Sequence, residues 1–227
     1  MLAWWQHLPL MIQPTAFSVG FFSVRWYAIF FLFGWFFALL FSLWQIREEE
    51  EVGNASIVFD LFIVLFLGAF LGGHFGYLIL YGWSSGLDAL SILLPYDLAT
   101  RTWVGIAGMS YHGGLIGAAI ALLVFVKRHH MDFWKTADLV SLSAPIGIGL
   151  GRIGNFLNGE LFGRLTNEVW GMVFPNAIPD GVLRHPSELY EACMEGIVLF
   201  GILYLFRKKI PFPGALTALF LSGYALA

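Results

Sequence analysis

A single cysteine, Cys193, stands in a chain of 227 residues. That count excludes an internal disulfide framework and a multi-cysteine metal site. The plain role for Cys193 is a small buried apolar residue. Charge is scarce as well. Asp, Glu, Lys and Arg make up 12% of the chain, against roughly 25% in a soluble globular domain. A net charge of −3 offers no basic surface to nucleic acid. No basic segment precedes the first apolar run, so no cleavable signal peptide is read there. The spacing of His and carboxylates suggests no metal. Internal repeats, inverted pairs of broken spans and low-complexity stretches are lacking too.

What is abundant is apolar surface. Apolar residues reach 59%, with 23 Phe and nine Trp, and the mean hydropathy is +0.77. Membrane spans are then the natural unit of the chain. Trp26 to Ile46 carries no charge over a length sufficient to cross about 30 Å of hydrocarbon as a helix. Arg47 to Glu51 closes it. Leu61 to Tyr81 is a second span, interrupted by His74. Met109 to Val126 is a third, with His112 near its start. Leu139 to Gly151 is short and rich in glycine. Ala192 to Phe206 is a fifth, closed by Arg207 to Lys209, and Gly214 to Ala227 begins a sixth. The expectation is an all-α polytopic transmembrane helix bundle with about six spans, forming a single integral membrane domain over residues 1–227.

Basic residues orient the stack. With the N-terminus outside, the inner loops hold Arg47, Lys127, Arg128, Lys135, Arg207, Lys208 and Lys209. The outer segments hold Arg25, Arg101, Arg164 and Arg184. Seven against four favours this orientation by the positive-inside rule. The outer side then carries the two long polar connections, and His112 and Arg152 fall at outer helix ends. Gly68, Gly72 and Gly76 recur on one helix face and form a groove for a close neighbour. Gly147, Gly149 and Gly151 suggest a thin or irregular fourth helix.

The chemistry gathers in Gly151 to Arg164, GRIGNFLNGELFGR. Arg152 lies at the membrane edge, where a guanidinium is costly and cannot shed its proton. It can hold two phosphate oxygens at once, and the anion at hand in a bilayer is a lipid phosphate. A second reading is an ion pair with Glu160, Asp138 or Glu188 that fastens helices. Asn155 and Asn158 add amide donors about a turn further on. Arg164 and Arg184 are alternatives in the outer loop. His112 is the best acid/base candidate, because its ordinary pKa near 6.5 allows proton exchange at neutral pH. Its second reading is a ring that ties a helix end to a loop. Gly113 and Gly114 let the backbone there approach a ligand or another helix. His74 reads as packing. His185 lies in RHPSELYE, where Pro186 opens a helix and Ser187, Glu188 and Glu191 serve as caps. Tyr27, beside Trp26, reads first as part of an aromatic belt.

RWYAIFFLFG, YHGGLIG, GRIGNFLNGELFGR and RHPSELYE, in this order and spacing, resemble the prolipoprotein diacylglyceryl transferases. The resemblance runs from about Phe17 to the last residue. It implies a multi-pass enzyme of the bacterial inner membrane whose site faces the periplasmic side. Such an enzyme moves the diacylglyceryl group of phosphatidylglycerol onto the thiol of a lipobox cysteine in a prolipoprotein signal peptide, and glycerol phosphate leaves. The nucleophile belongs to the substrate. His112 matches the family's essential histidine, and Arg152 its phosphatidylglycerol-binding arginine. Tyr27, Asn155 and Gly163 match other positions on which the family depends. Glu160 and Asp138 are expected to hold Arg152 in place. The partners implied are phosphatidylglycerol, the prolipoprotein and the lipid bilayer, with no cofactor and no metal.

Two departures accompany the resemblance. The family usually has seven spans and continues past the equivalent of Ala227 with an arginine that binds phosphate, so the expectation is a truncated C-terminus. His74 stands where relatives often carry arginine. The rivals are a membrane transporter or channel and a truncated, inactive homologue. Clustering of the polar groups toward one side, rather than at the midplane, speaks against a transporter.

Overall fold

Long charge-free segments can satisfy their backbone polar groups in hydrocarbon only as helices or closed barrels, and helices are what these segments form. The computed structural model describes residues 2–20, 22–49, 53–81, 96–97, 102–103, 108–209 and 212–227. Two short helices, α1 (Leu2–Gln6) and α2 (Leu8–Met11), precede an antiparallel hairpin of β1 (Thr15–Val19) and β2 (Phe22–Arg25). The long helices follow as α3 (Trp26–Glu49), α4 (Ala55–Tyr81), α5 (Tyr111–Arg128) and α6 (Phe133–Asn158). The last part comprises α7 (Ser187–Glu191), a π-helical stretch (Ala192–Val198), α8 (Leu199–Phe206) and α9 (Ala215–Leu226). Among the described residues, four segments are long and apolar enough to cross a membrane: Trp26–Arg47, Ala55–Leu80, Tyr111–Arg128 and Ser187–Phe206. Large apolar side chains such as Phe36 and Leu71 stand about half exposed on them, as expected of faces that meet lipid. The chain is a multi-pass helical membrane protein.

Two compact units divide it: Met1–Gln45 with Ala137–Ala227, and Ile46–Thr136. In the second unit the Gly68, Gly72 and Gly76 groove does receive a helix, namely α5. A Cβ on Gly76 would lie 2.6 Å from the Gly113 Cα, and one on Gly72 would lie 2.7 Å from the Gly117 Cα. Ser110 caps α5 by accepting the Gly113 N–H at 3.2 Å, and its own N–H donates to the Gly73 carbonyl at 2.9 Å.

In the first unit α6 is the central element. It is a continuous helix despite Pro145, so the irregularity expected around Gly147 to Gly151 is not there. Those glycines instead allow close approach. A Cβ on Gly34 of α3 would sit 2.9 Å from the Gly147 carbonyl oxygen, and one on Gly196 would sit 2.8 Å from the Gly149 Cα. The irregular turn falls in the next transmembrane segment, as the π stretch. Leu142, Leu199, Leu203 and Leu216 form one apolar core. Phe156, Met172, Phe174 and Ala177 form another beneath the long connection after α6, with Trp5 and Leu8 against it. Cys193 is exposed, contrary to the buried role expected of it. It lies off the helix face that turns Glu195, 6% exposed, toward α6.

Candidate active site

Asp132 starts α6 by accepting the Lys135 N–H at 2.8 Å, which satisfies one of the donors that a helix start leaves open. The helix then carries Arg152, Asn155 and Asn158 along its last two turns. Arg152 faces the segment after Pro186. Its Nε donates to Glu195 Oε2 at 3.0 Å and its Nη2 to Glu195 Oε1 at 3.4 Å, while Nη1 lies 2.9 Å from Glu191 Oε2. Residues 188, 191 and 195 share one face at the i, i+3, i+7 spacing. Glu195 is buried, and Glu188 is fully buried with neither carboxyl oxygen hydrogen-bonded among the described residues.

The guanidinium is therefore gripped side-on by one carboxylate and approached by a second. It has five N–H donors, and two of them go to Glu195. A phosphate reaching Arg152 would use the remaining donors and compete with Glu191 for Nη1.

Two of the partners expected for Arg152, Glu160 and Asp138, serve elsewhere. Glu160 Oε1 accepts from Asn158 Nδ2 at 3.0 Å and from Asn155 Nδ2 at 3.4 Å. Asn158 Oδ1 in turn accepts the Tyr27 N–H at 3.2 Å, which ties the start of α3 to the end of α6. The Tyr27 ring stacks on Phe31 with centroids 5.8 Å apart. Asp138 takes the N–H groups of Gly214 and Thr217 at 2.7 and 2.8 Å, so it caps α9. Glu191 and Glu195 were missed as partners of Arg152. The readable signal was an acidic residue inside an apolar span, where a charge needs a partner.

Gly163 packs against the backbone at His185. Its N–H donates to the His185 carbonyl at 2.8 Å, and a Cβ would meet that oxygen at 3.0 Å. His185 Nδ1 lies 3.1 Å from the Tyr190 hydroxyl. Pro186 does precede a helix, and Ser187 donates to the Leu161 carbonyl at 3.0 Å rather than capping. Arg184 donates to the Gly163 and Ile178 carbonyls and lies over the Phe162 ring. It is thus engaged in holding the connection together, whereas Arg164 is exposed.

His112 belongs to the other unit. It is the second residue of α5, exposed, with its ring edge-on to Tyr111 at 5.8 Å and without a hydrogen bond among the described residues. Gly113 meets α4, and Gly114 lies beside the Ala69 carbonyl, which a Cβ would approach to 3.3 Å. Among the described residues no cluster of His, Cys, Asp and Glu has the arrangement of a metal site.

Comparison with known proteins adds one family. The family model described as prolipoprotein diacylglyceryl transferase matches residues 14–227. The phosphatidylglycerol–prolipoprotein diacylglyceryl transferase of Chlorobaculum tepidum is 44% identical over 224 residues, covering 97% of this chain and 77% of that protein. The protein of the same name from Aeromonas hydrophila is 43% identical, covering 95% and 75%. That of Campylobacter jejuni is 41% identical over 229 residues, covering 100% and 82%.

Proposed function

The chain belongs to the prolipoprotein diacylglyceryl transferase family, and on that premise we propose that it transfers the diacylglyceryl group of phosphatidylglycerol to the thiol of a prolipoprotein's lipobox cysteine. The S–C bond forms as the C–O bond between the diacylglyceryl carbon and the phosphate breaks. The oxygen and its electron pair leave with glycerol phosphate, and the thiol proton is taken up by a base. The enzyme works as one integral domain over residues 1–227 in the bacterial inner membrane, with its site toward the periplasmic face. The basic loops support that orientation.

Each residue has a task in this scheme. A thiol of ordinary pKa near 8.5 is mostly protonated at neutral pH. His112, exposed at a helix start, takes its proton directly or through water. Arg152 binds the phosphate and stabilises the charge that develops on the leaving oxygen. Glu195 fixes the guanidinium from the side, and Glu191 yields Nη1 as the phosphate arrives. Tyr27, Asn155, Asn158, Glu160 and Gly163 keep the polar groups after Arg152 in shape, and the Gly113–Gly114 backbone holds the start of the helix that carries His112.

The observation that carries this reading is Arg152 itself. It is a partly buried guanidinium, held side-on, whose remaining donors can serve an anion. The test follows thioether formation on a lipobox peptide in phosphatidylglycerol vesicles for wild type, His112→Gln and Arg152→Ala. Both substitutions are expected to lower turnover by at least about a hundredfold, the order lost with a catalytic base or a charge-stabilising donor. Unchanged turnover in both overturns the mechanism.

A further inference from the structure

Resting on that transfer reading, we propose that a cavity beyond Arg152 is a site for glycerol phosphate, with Arg25 as its phosphate ligand. The cavity measures about 470 Å³, within the range of about 300–1,000 Å³ usual for small-molecule sites. Arg25 and Thr15 line it from the hairpin, Asn158 and Glu160 from the end of α6 and the turn after it, and Asn176 from the connection. These walls offer one cation, one carboxylate, two amides and a hydroxyl, a set that suits a small anionic polyol, beside the apolar Pro14, Leu161 and Phe162.

The parts are placed for that task. Arg25 is exposed and makes no ion pair among the described residues. The hairpin pairs it with Thr15, and the neighbouring Trp26 N–H donates to the Pro14 carbonyl at 3.1 Å. A free guanidinium on a fixed strand end can grip a phosphate with two parallel N–H bonds. Glu160 Oε1 is taken by the two asparagine amides, which leaves Oε2 to accept from a hydroxyl. Gly159 and Leu161, on either side of Glu160, both hold positive φ, at 67° and 64°. For leucine that conformation is costly and persists only where its surroundings enforce it. Asn176, also left-handed at φ 63°, brings an exposed amide to the same space.

The position fits the chemistry. Breaking the C–O bond releases a phosphomonoester, which is more strongly charged than the parent diester and no longer anchored by acyl chains. Asn158 follows Arg152 by six residues, or about 9 Å of helix rise. A phosphate leaving Arg152 along α6 thus comes next to the cavity that holds Arg25. The same phosphoglycerol chemistry is present in the headgroup of the intact lipid, and the test separates the two sources.

The experiment uses the full chain, as wild type, Arg25→Ala, Arg25→Lys and Asn176→Ala, each checked for an unchanged melting temperature. Calorimetry measures binding of glycerol phosphate, inorganic phosphate and glycerol. The transfer assay measures inhibition by added glycerol phosphate and the KM for phosphatidylglycerol. Arg25→Ala is expected to weaken glycerol phosphate binding and inhibition about tenfold. Arg25→Lys, which lacks the planar fork, is expected to recover only part of the loss, and Asn176→Ala to weaken glycerol phosphate more than inorganic phosphate. A weaker inhibition with KM unchanged assigns the cavity to the free product. A KM raised in parallel assigns it to the lipid headgroup as well. If calorimetry, inhibition and KM are all unmoved in Arg25→Ala, the proposal is overturned. Arg25-dependent binding in a wild type that transfers no lipid leaves the cavity assignment standing and removes the transferase reading.

Discussion

Replacing Gly196 by alanine builds a Cβ 2.8 Å from the Gly149 Cα. Carbon atoms settle at roughly 3.5–4.0 Å, so the π stretch and α6 must part by about 0.7 Å or more. Both sides of the contact are backbone, and no side chain can swing away. Overpacking of this kind costs about 1–3 kcal/mol. The larger effect is local. Glu195 adjoins Gly196 and meets Arg152, three residues after Gly149, at 3.0 and 3.4 Å. Displacement stretches the second of these bonds past useful length and turns the guanidinium. A misplacement of about 1 Å at a reacting site costs on the order of a hundredfold. Gly196→Ala should therefore lower kcat/KM for phosphatidylglycerol about 10- to 100-fold and reduce the melting temperature. Gly201→Ala is the control, because a Cβ there meets nothing within 4 Å. Alanine in place of glycine in a helix is favourable by about 0.5–1 kcal/mol, so this variant should match or exceed wild type in stability. Equal transfer rates and melting temperatures for the two variants would refute the argument that glycine contact sets the Arg152 geometry.

The other predictions concern packing and capping. Gly72→Ala should destabilise by about 1–3 kcal/mol in thermal or denaturant melts, since its Cβ meets the Gly117 backbone at 2.7 Å. Gly114→Ala, with 3.3 Å to the Ala69 carbonyl, should cost clearly less. Asp138→Ala removes the acceptor for two N–H groups at the start of α9 and should cost about 1–2 kcal/mol, with lowered transfer only if α9 is displaced. Glu188→Gln should leave the melting temperature within a few degrees of wild type, because neither carboxyl oxygen makes a hydrogen bond among the described residues and an amide fills the same volume.

Much of this architecture was legible in the residues. The Trp26 to Ile46 run became α3, and the repeated glycines of α4 found their neighbour in α5, because hydrophobic length and small-residue spacing are local properties of the chain. Helix starts were less legible. Asn54 accepts the Ile57 N–H at 3.0 Å ahead of α4, so that helix begins before its continuous apolar run. Asp132 does the same for α6, whose polar first turns hid it. The π stretch and the exposed Cys193 left no periodic signal. Neither did the partners of Arg152, which depend on two glycines meeting across helices far apart in sequence. Asn155, Asn158 and Glu160 were singled out as site residues, yet their mutual bonds follow from the left-handed turn at Gly159 and Leu161, and only the folded backbone displays that turn.

The most direct test of the account is mass spectrometry of a lipobox peptide after incubation with the protein in vesicles of defined lipid. The predicted result is a mass gain of one diacylglyceryl group on the cysteine sulfur, with phosphatidylglycerol as donor, lost when serine replaces that cysteine or when alanine replaces Arg152. A peptide that gains no such mass, or gains it equally without Arg152, would contradict the account.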